Sequence, residues 1–99
     1  DVINVLFKSL KKKNSNGKIF NICTGRPYNI KKLIKLIKFK TRGGVPKFGL
    51  IKMRKDEIIK FFGNPNKTKK FFKWKPIIKL EDGLEKTIKY YANSFKKRI

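Results

Sequence analysis

Apolar residues recur at helical spacing in several stretches of this chain. Over residues 2–12, Val2, Ile3, Leu6 and Leu10 fall on one helical face, with Lys8, Lys11 and Lys12 turned away from it. Ile30, Leu33, Ile34 and Ile37 follow the i, i+3, i+4, i+7 pattern. They predict a helix over 30–39, capped by Asn29, with Lys31, Lys35 and Lys38 on its other face. A short helix is expected over 66–72, with Asn66 as its cap and Pro65 holding Asn64 extended. Trp74-Lys75-Pro76 stops it, because proline cannot continue a helix and restricts the residue before it. Leu80, Leu84, Ile88, Tyr91 and Phe95 form the stripe of a last helix over 80–95, with Glu81 and Asp82 in the first turn, where the helix dipole favours acids.

Between these lie extended segments. Lys18–Cys23 reads as a strand carrying Ile19, Phe20 and Ile22, bounded by the turn Asn14-Ser15-Asn16-Gly17 and by Thr24-Gly25-Arg26-Pro27. Val45–Ile51 reads as extended, and Glu57–Phe62 has strand character. Helices alternating with short strands predict a small mixed α/β architecture. Residues 1–92 read as one folded part and residues 93–99 as a basic tail.

Composition changes this picture in one respect. The 99 residues carry 28 Lys and Arg against 6 Asp and Glu, a net charge of +22. Such a charge opposes compaction and attracts polyanions: nucleic acid, an anionic membrane surface or a phosphate-rich ligand. The lysines are spread along the whole chain together with Ile, Asn and Phe, which equally fits a codon bias toward A and T. No apolar run approaches the ~20 residues of a membrane span. The charges of the opening stretch follow its apolar part, the reverse of a signal peptide. A cytoplasmic protein with no membrane partner is expected. Asp1 stands at the threshold of a helix with no Met before it, so the chain is read as a piece of a longer protein.

Candidate chemistry is sparse. The chain has no His and a single Cys, Cys23, which leaves no metal site, no disulfide and no His-based triad. Gly25 and Gly43-Gly44 form no dinucleotide-binding fingerprint and no P-loop. Tyr28 and Lys32 match Tyr-x-x-x-Lys, but Tyr28 precedes the helix cap, and lysine is common enough here for a chance match. The helix over 30–39 has the charge pattern of a membrane-surface helix, and also that of any core-packing helix. Phe71, Phe72 and Trp74, interleaved with Lys73 and Lys75, are the basic aromatic run that could stack bases of single-stranded nucleic acid; the alternative is a core at a helix end. Arg54 and Glu57 are the sharpest pair. A guanidinium binds phosphate oxygens bidentately, and a carboxylate accepts the hydroxyl protons of a ribose. The alternative for them is a surface ion pair, worth ~0–1 kcal/mol.

Ordered pieces of the chain resemble the C-terminal part of the extended short-chain dehydrogenases, the NAD-dependent nucleotide-sugar epimerases and dehydratases. Asp1-Val2 is similar to the Asp-Val that opens a family helix. Phe20-Asn21-Ile22-Cys23-Thr24-Gly25 resembles Tyr-Asn-Ile-Gly-Thr-Gly. Asn29-Ile30 with Leu33-Ile34 resembles Ser-Ile…Glu-Leu. Phe48-Gly49 followed by Arg54-Lys55-Asp56-Glu57 resembles Phe-Gly…Arg-x-x-Glu/Asp. Lys67 through Trp74-Lys75-Pro76 resembles Ser-Lys-Ala…Leu-Gly-Trp-x-Pro. Leu80-Glu81-Asp82-Gly83-Leu84, then Thr87-Ile88 and Tyr91, resemble Leu-Glu-Glu-Gly-Leu…Thr-Ile…Tyr. The likeness spans residues 1–91.

The resemblance implies a mixed helix/strand substrate lobe that packs on a Rossmann half absent from this chain. It implies that Arg54 contacts the diphosphate of a nucleotide-sugar substrate and that Glu57 contacts its ribose. NAD and the catalytic Tyr and Lys would belong to the upstream half, so the chain alone would be inactive. Members of the family are often homodimers, and no specific nucleic acid is expected as a partner. Three residues depart from the pattern: Asn64 replaces a family Asp, Lys73 replaces the Gly that ends a helix, and Lys79 replaces a capping Ser or Thr.

Overall fold

The computed structural model describes Asp1–Lys97; Arg98 and Ile99, part of the expected basic tail, lie outside the described residues. Among the described residues the fold is all-helical. It consists of α1 (Val2–Lys11), a 3₁₀ turn (Lys13–Ser15), α2 (Ile30–Thr41), α3 (Asn66–Phe72) and α4 (Leu80–Lys96). The chain divides into two compact units. The first joins Asp1–Pro27 to Lys60–Ile78, and the second joins Tyr28–Ile59 to the stretch from Lys79 onward.

The expected mixed α/β class is therefore corrected: no strand forms among the described residues. The reason is visible in the first unit. Lys18–Cys23 does lie beside another element, but that element is α3. The Ile19 carbonyl accepts from Lys67 Nζ at 2.8 Å, and the Asn21 carbonyl accepts from Thr68 Oγ1 at 2.6 Å. Side-chain donors of a helix thus take the place of a neighbouring strand, and no ladder is formed. Val45–Ile51 and Glu57–Phe62 have no ladder partner either.

The core of the first unit is small. Val5, Phe72 and Trp74 are buried, with Phe20 and Phe71 packed against them. Phe20, Phe71 and Phe72 make three mutual ring contacts with centroids 4.7–4.9 Å apart, tilted or edge-on, as their quadrupoles favour. Thr68 is wholly buried, and its hydroxyl is satisfied by the Asn21 carbonyl. Trp74 Nε1 donates to the Asp1 carbonyl at 3.1 Å. The Asp1 side chain does not cap α1; its two oxygens accept from the Ile77 and Ile78 amides at 3.2 and 3.0 Å.

α1 meets α3 with a different face from the one its apolar stripe predicts. Val5 is the buried residue, while Val2, Ile3, Leu6 and Leu10 are exposed. Lys8 and Lys12, on the Val5 side, donate to carbonyls at the end of α3. That end is closed by Lys73 in the left-handed conformation (φ 49°, ψ 45°), and the Trp74 amide reaches back to the Lys69 carbonyl. This Schellman geometry favours glycine, so a lysine there costs ~1 kcal/mol. The N-cap of α3 is Pro65; Asn64 accepts from the Asn66 amide instead of Asn66 acting as the cap.

In the second unit, α2 begins as expected, with Asn29 Oδ1 accepting from the Lys32 amide at 3.1 Å. The helix runs on to Thr41 and ends at Arg42 in the left-handed conformation. α2 packs against α4. Leu33, Ile34 and Leu36 on one helix and Leu84 and Ile88 on the other are half-buried, and no residue of either helix is buried. Lys40 and Lys89 flank Glu85 at 3.7 and 3.1 Å. α4 starts at Lys79 without a side-chain cap and continues through much of the expected tail, to Lys96. No helix among the described residues is long and apolar enough to cross a membrane.

Candidate functional site

Arg54 and Glu57 lie in an exposed segment of the second unit. They are joined twice. The Glu57 amide donates to the Arg54 carbonyl at 3.3 Å, and a Glu57 carboxylate oxygen accepts from the Arg54 amide at 3.2 Å. The result is a reciprocal turn: a backbone i+3 bond closed by the Glu57 side chain, which makes the half of a capping box that reaches back to the first amide. Its flanks, Met53, Ile58 and Ile59, are exposed apolar residues. The side chains of the two residues make no ion pair: among the described residues, both ion pairs involve Glu85. The surface-pair alternative is thus replaced by a carboxylate that fastens backbone. A carboxylate has several lone-pair sites, so Glu57 keeps acceptor capacity beyond the Arg54 amide.

The other sequence candidates fall elsewhere. Phe72 and Trp74 are 6% and 5% exposed, and Phe71 is half-buried beneath Lys12 and Lys18. Phe72 and Trp74 belong to the core, and Phe71 packs against it. Tyr28 is exposed ahead of the Asn29 cap. Cys23 is half-buried against Gly63, where an added Cβ would approach its sulfur to 2.7 Å. No group of three metal-ligating side chains occurs among the described residues.

Sequence reasoning missed an open cavity of about 770 Å³ past the end of α2, lined by Lys38, Phe39, Lys40, Arg42, Gly43 and Gly44. The only signal for it was Gly43-Gly44 following a basic helix. Cations at this end suit the helix dipole, which accounts for their placement without a ligand. Comparison with protein-family models, with curated proteins and with solved structures finds no match to this chain.

Proposed function

We propose that this chain is the substrate-binding part of an NAD-dependent nucleotide-sugar epimerase or dehydratase. In this reading Arg54 contacts the diphosphate and Glu57 the nucleotide ribose. NAD and the catalytic Tyr and Lys belong to a Rossmann half joined to it. The observation that carries the reading is the reciprocal Arg54–Glu57 turn, which fixes the backbone under Arg54 while, among the described residues, its guanidinium pairs with no carboxylate. Val45, Leu50, Ile51, Met53, Ile58 and Ile59 add support, since a segment with all six exposed suits a surface made for another folded half. The rival reading, a basic module stacking nucleic-acid bases on Phe71, Phe72 and Trp74, is less well supported, since Phe72 and Trp74 are buried.

In the protein that joins this chain to a Rossmann half, Arg54→Ala is expected to weaken sugar-nucleotide binding by ~1–3 kcal/mol, the scale of a charge-assisted contact, in a calorimetric titration. Unchanged affinity would remove Arg54 from the site. Turnover of a sugar nucleotide by the 99-residue chain alone would overturn the assignment of catalysis to the missing half.

A further inference from the structure

Four lysines of the first unit are drawn around its aromatic cluster with no acid among them. Lys12 Nζ and Lys18 Nζ lie over the same Phe71 ring, 4.4 and 4.8 Å from its centroid. Lys67 Nζ lies over Phe20 at 5.0 Å, and the two rings are themselves 4.8 Å apart. Lys8 Nζ sits at the end of α3, 3.2 Å from the Lys73 carbonyl and 3.4 Å from that of Phe72. Lys12 donates to the Phe71 carbonyl, and Lys67 to that of Ile19. The one acidic side chain in this unit, Asp1, is occupied by the Ile77 and Ile78 amides.

Carbonyl oxygens and ring faces hold these ammonium groups in place, but they carry no net charge and leave the mutual repulsion standing. All four lysines are exposed. Each ammonium has three donors, and Lys12, Lys18 and Lys67 use at most one of them on a carbonyl. The cluster is also stretched out. Lys67 projects from the first turn of α3, and Lys8 binds carbonyls at its far end, roughly 9 Å away at 1.5 Å per residue. A chain with a charge repeated along it can follow lysines spread along the helix in this way.

We infer that Lys8, Lys12, Lys18 and Lys67 form a seat for the phosphodiester backbone of a nucleic acid, bound without reading its bases. The rings serve as supports beneath the lysines and do not stack on the ligand. This distinguishes the seat from a stacking module and from the Arg54 turn, which lies in the other unit.

The test is a fluorescence-anisotropy titration of the full chain with a labelled single-stranded oligothymidine at several salt concentrations. Neutralising four phosphates on a single strand gives a slope of log K against log salt of about −3 from these lysines alone. The quadruple variant K8Q/K12Q/K18Q/K67Q is expected to lose that part of the slope, and the corresponding Lys→Arg quadruple to retain it. K31Q/K32Q/K35Q/K38Q, which removes the same charge from α2, is expected to change the slope far less. An equal loss in the α2 variant would overturn the seat in favour of generic lysine attraction. Absence of binding by the unaltered chain at about 50 mM salt, where such contacts are strong, would overturn it outright. Tighter capture by phosphatidylglycerol vesicles, lost in the first quadruple variant, would assign the cluster to lipid and overturn the nucleic-acid reading. Because Lys8, Lys12 and Lys67 also hold carbonyls, Trp74 emission checks folding. K18Q, which breaks no hydrogen bond, provides a second reading: it should flatten the slope by about 0.7, and an unchanged slope in K18Q would count against the seat.

Discussion

The two units organise similar sequence material in opposite ways. In the first, Asp1–Pro27 and Lys60–Ile78 close around Val5, Phe72 and Trp74, and the buried Thr68 hydroxyl and Trp74 indole both find carbonyl acceptors. In the second, α2 and α4 each carry an apolar stripe at helical spacing, yet neither buries a residue fully. Periodicity measures how well a helix could pack. Burial depends on what is available to pack against, and bulky aromatic rings supply far more contact area than an aliphatic stripe. The second unit therefore lies at the low-stability end of the molecule, with few buried contacts to resist local opening.

The contrast can be broken most directly at Trp74. Trp74→Ala is expected to cost about 3–5 kcal/mol, the range for large aromatic truncations, and to release amide protection in α1 and α3. Hydrogen exchange resolved by peptide checks it. If α2 and α4 lose protection to the same extent, the division into two units fails. A smaller and more specific effect is expected at Thr68. Thr68→Val keeps the shape but leaves the Asn21 carbonyl without its donor, for about 0.5–1.5 kcal/mol, since Asn21 is exposed. A shifted denaturation midpoint read by Trp74 fluorescence would register it; an unmoved midpoint would mean that water replaces the hydroxyl.

The smallest effect belongs to the second unit. Hydrogen bonding and charge from Lys89, followed by charge from Lys40, hold the Glu85 carboxyl below its usual range. A depressed carboxylate stabilises the fold above its unfolded pKa, and that contribution disappears as pH falls through the lowered value. Helicity of α2 and α4 should therefore decline slightly in acid, below the ordinary carboxylate range. Glu85→Gln should remove that decline and leave neutral-pH behaviour almost unchanged, since the pair is exposed and screened. Circular dichroism across the acid range checks this, and an identical acid profile in the variant would exclude Glu85 as its source.

The helices were legible in the sequence because their signals are local. Asn29 followed by an i, i+3, i+4, i+7 stripe, and Trp74-Lys75-Pro76 after an amphipathic turn, carry their own start and stop. The packing face of α1 was not legible. It depends on Lys8 and Lys12 reaching carbonyls 59–65 residues away, and no periodicity records that. The strand expected at Lys18–Cys23 failed for a related reason. Its apolar residues Ile19, Phe20 and Ile22 show that the segment has something to pack against, but not whether the neighbour offers backbone donors or, as here, Lys67 and Thr68 side chains. At the candidate site, the positions of Arg54 and Glu57 could be read, but the use of the Glu57 carboxylate on the Arg54 amide could not.

The grip of Asp1 on the Ile77 and Ile78 amides has a consequence for how the chain comes into being. These bonds join residues 76 and 77 positions apart, so Tyr28–Ile59 falls, in sequence, between the two halves of the first unit. During synthesis, at about 5–20 residues per second, α1 emerges several seconds before α3 and Trp74 exist to receive it. Over that interval Val5 lacks Phe72 and Trp74, the two buried residues it shares its core with. Both units are split in sequence in this way, α2 waiting for α4 as α1 waits for α3, and a nascent chain halted before Trp74 would present α1 to whatever chaperone or neighbouring chain meets it first.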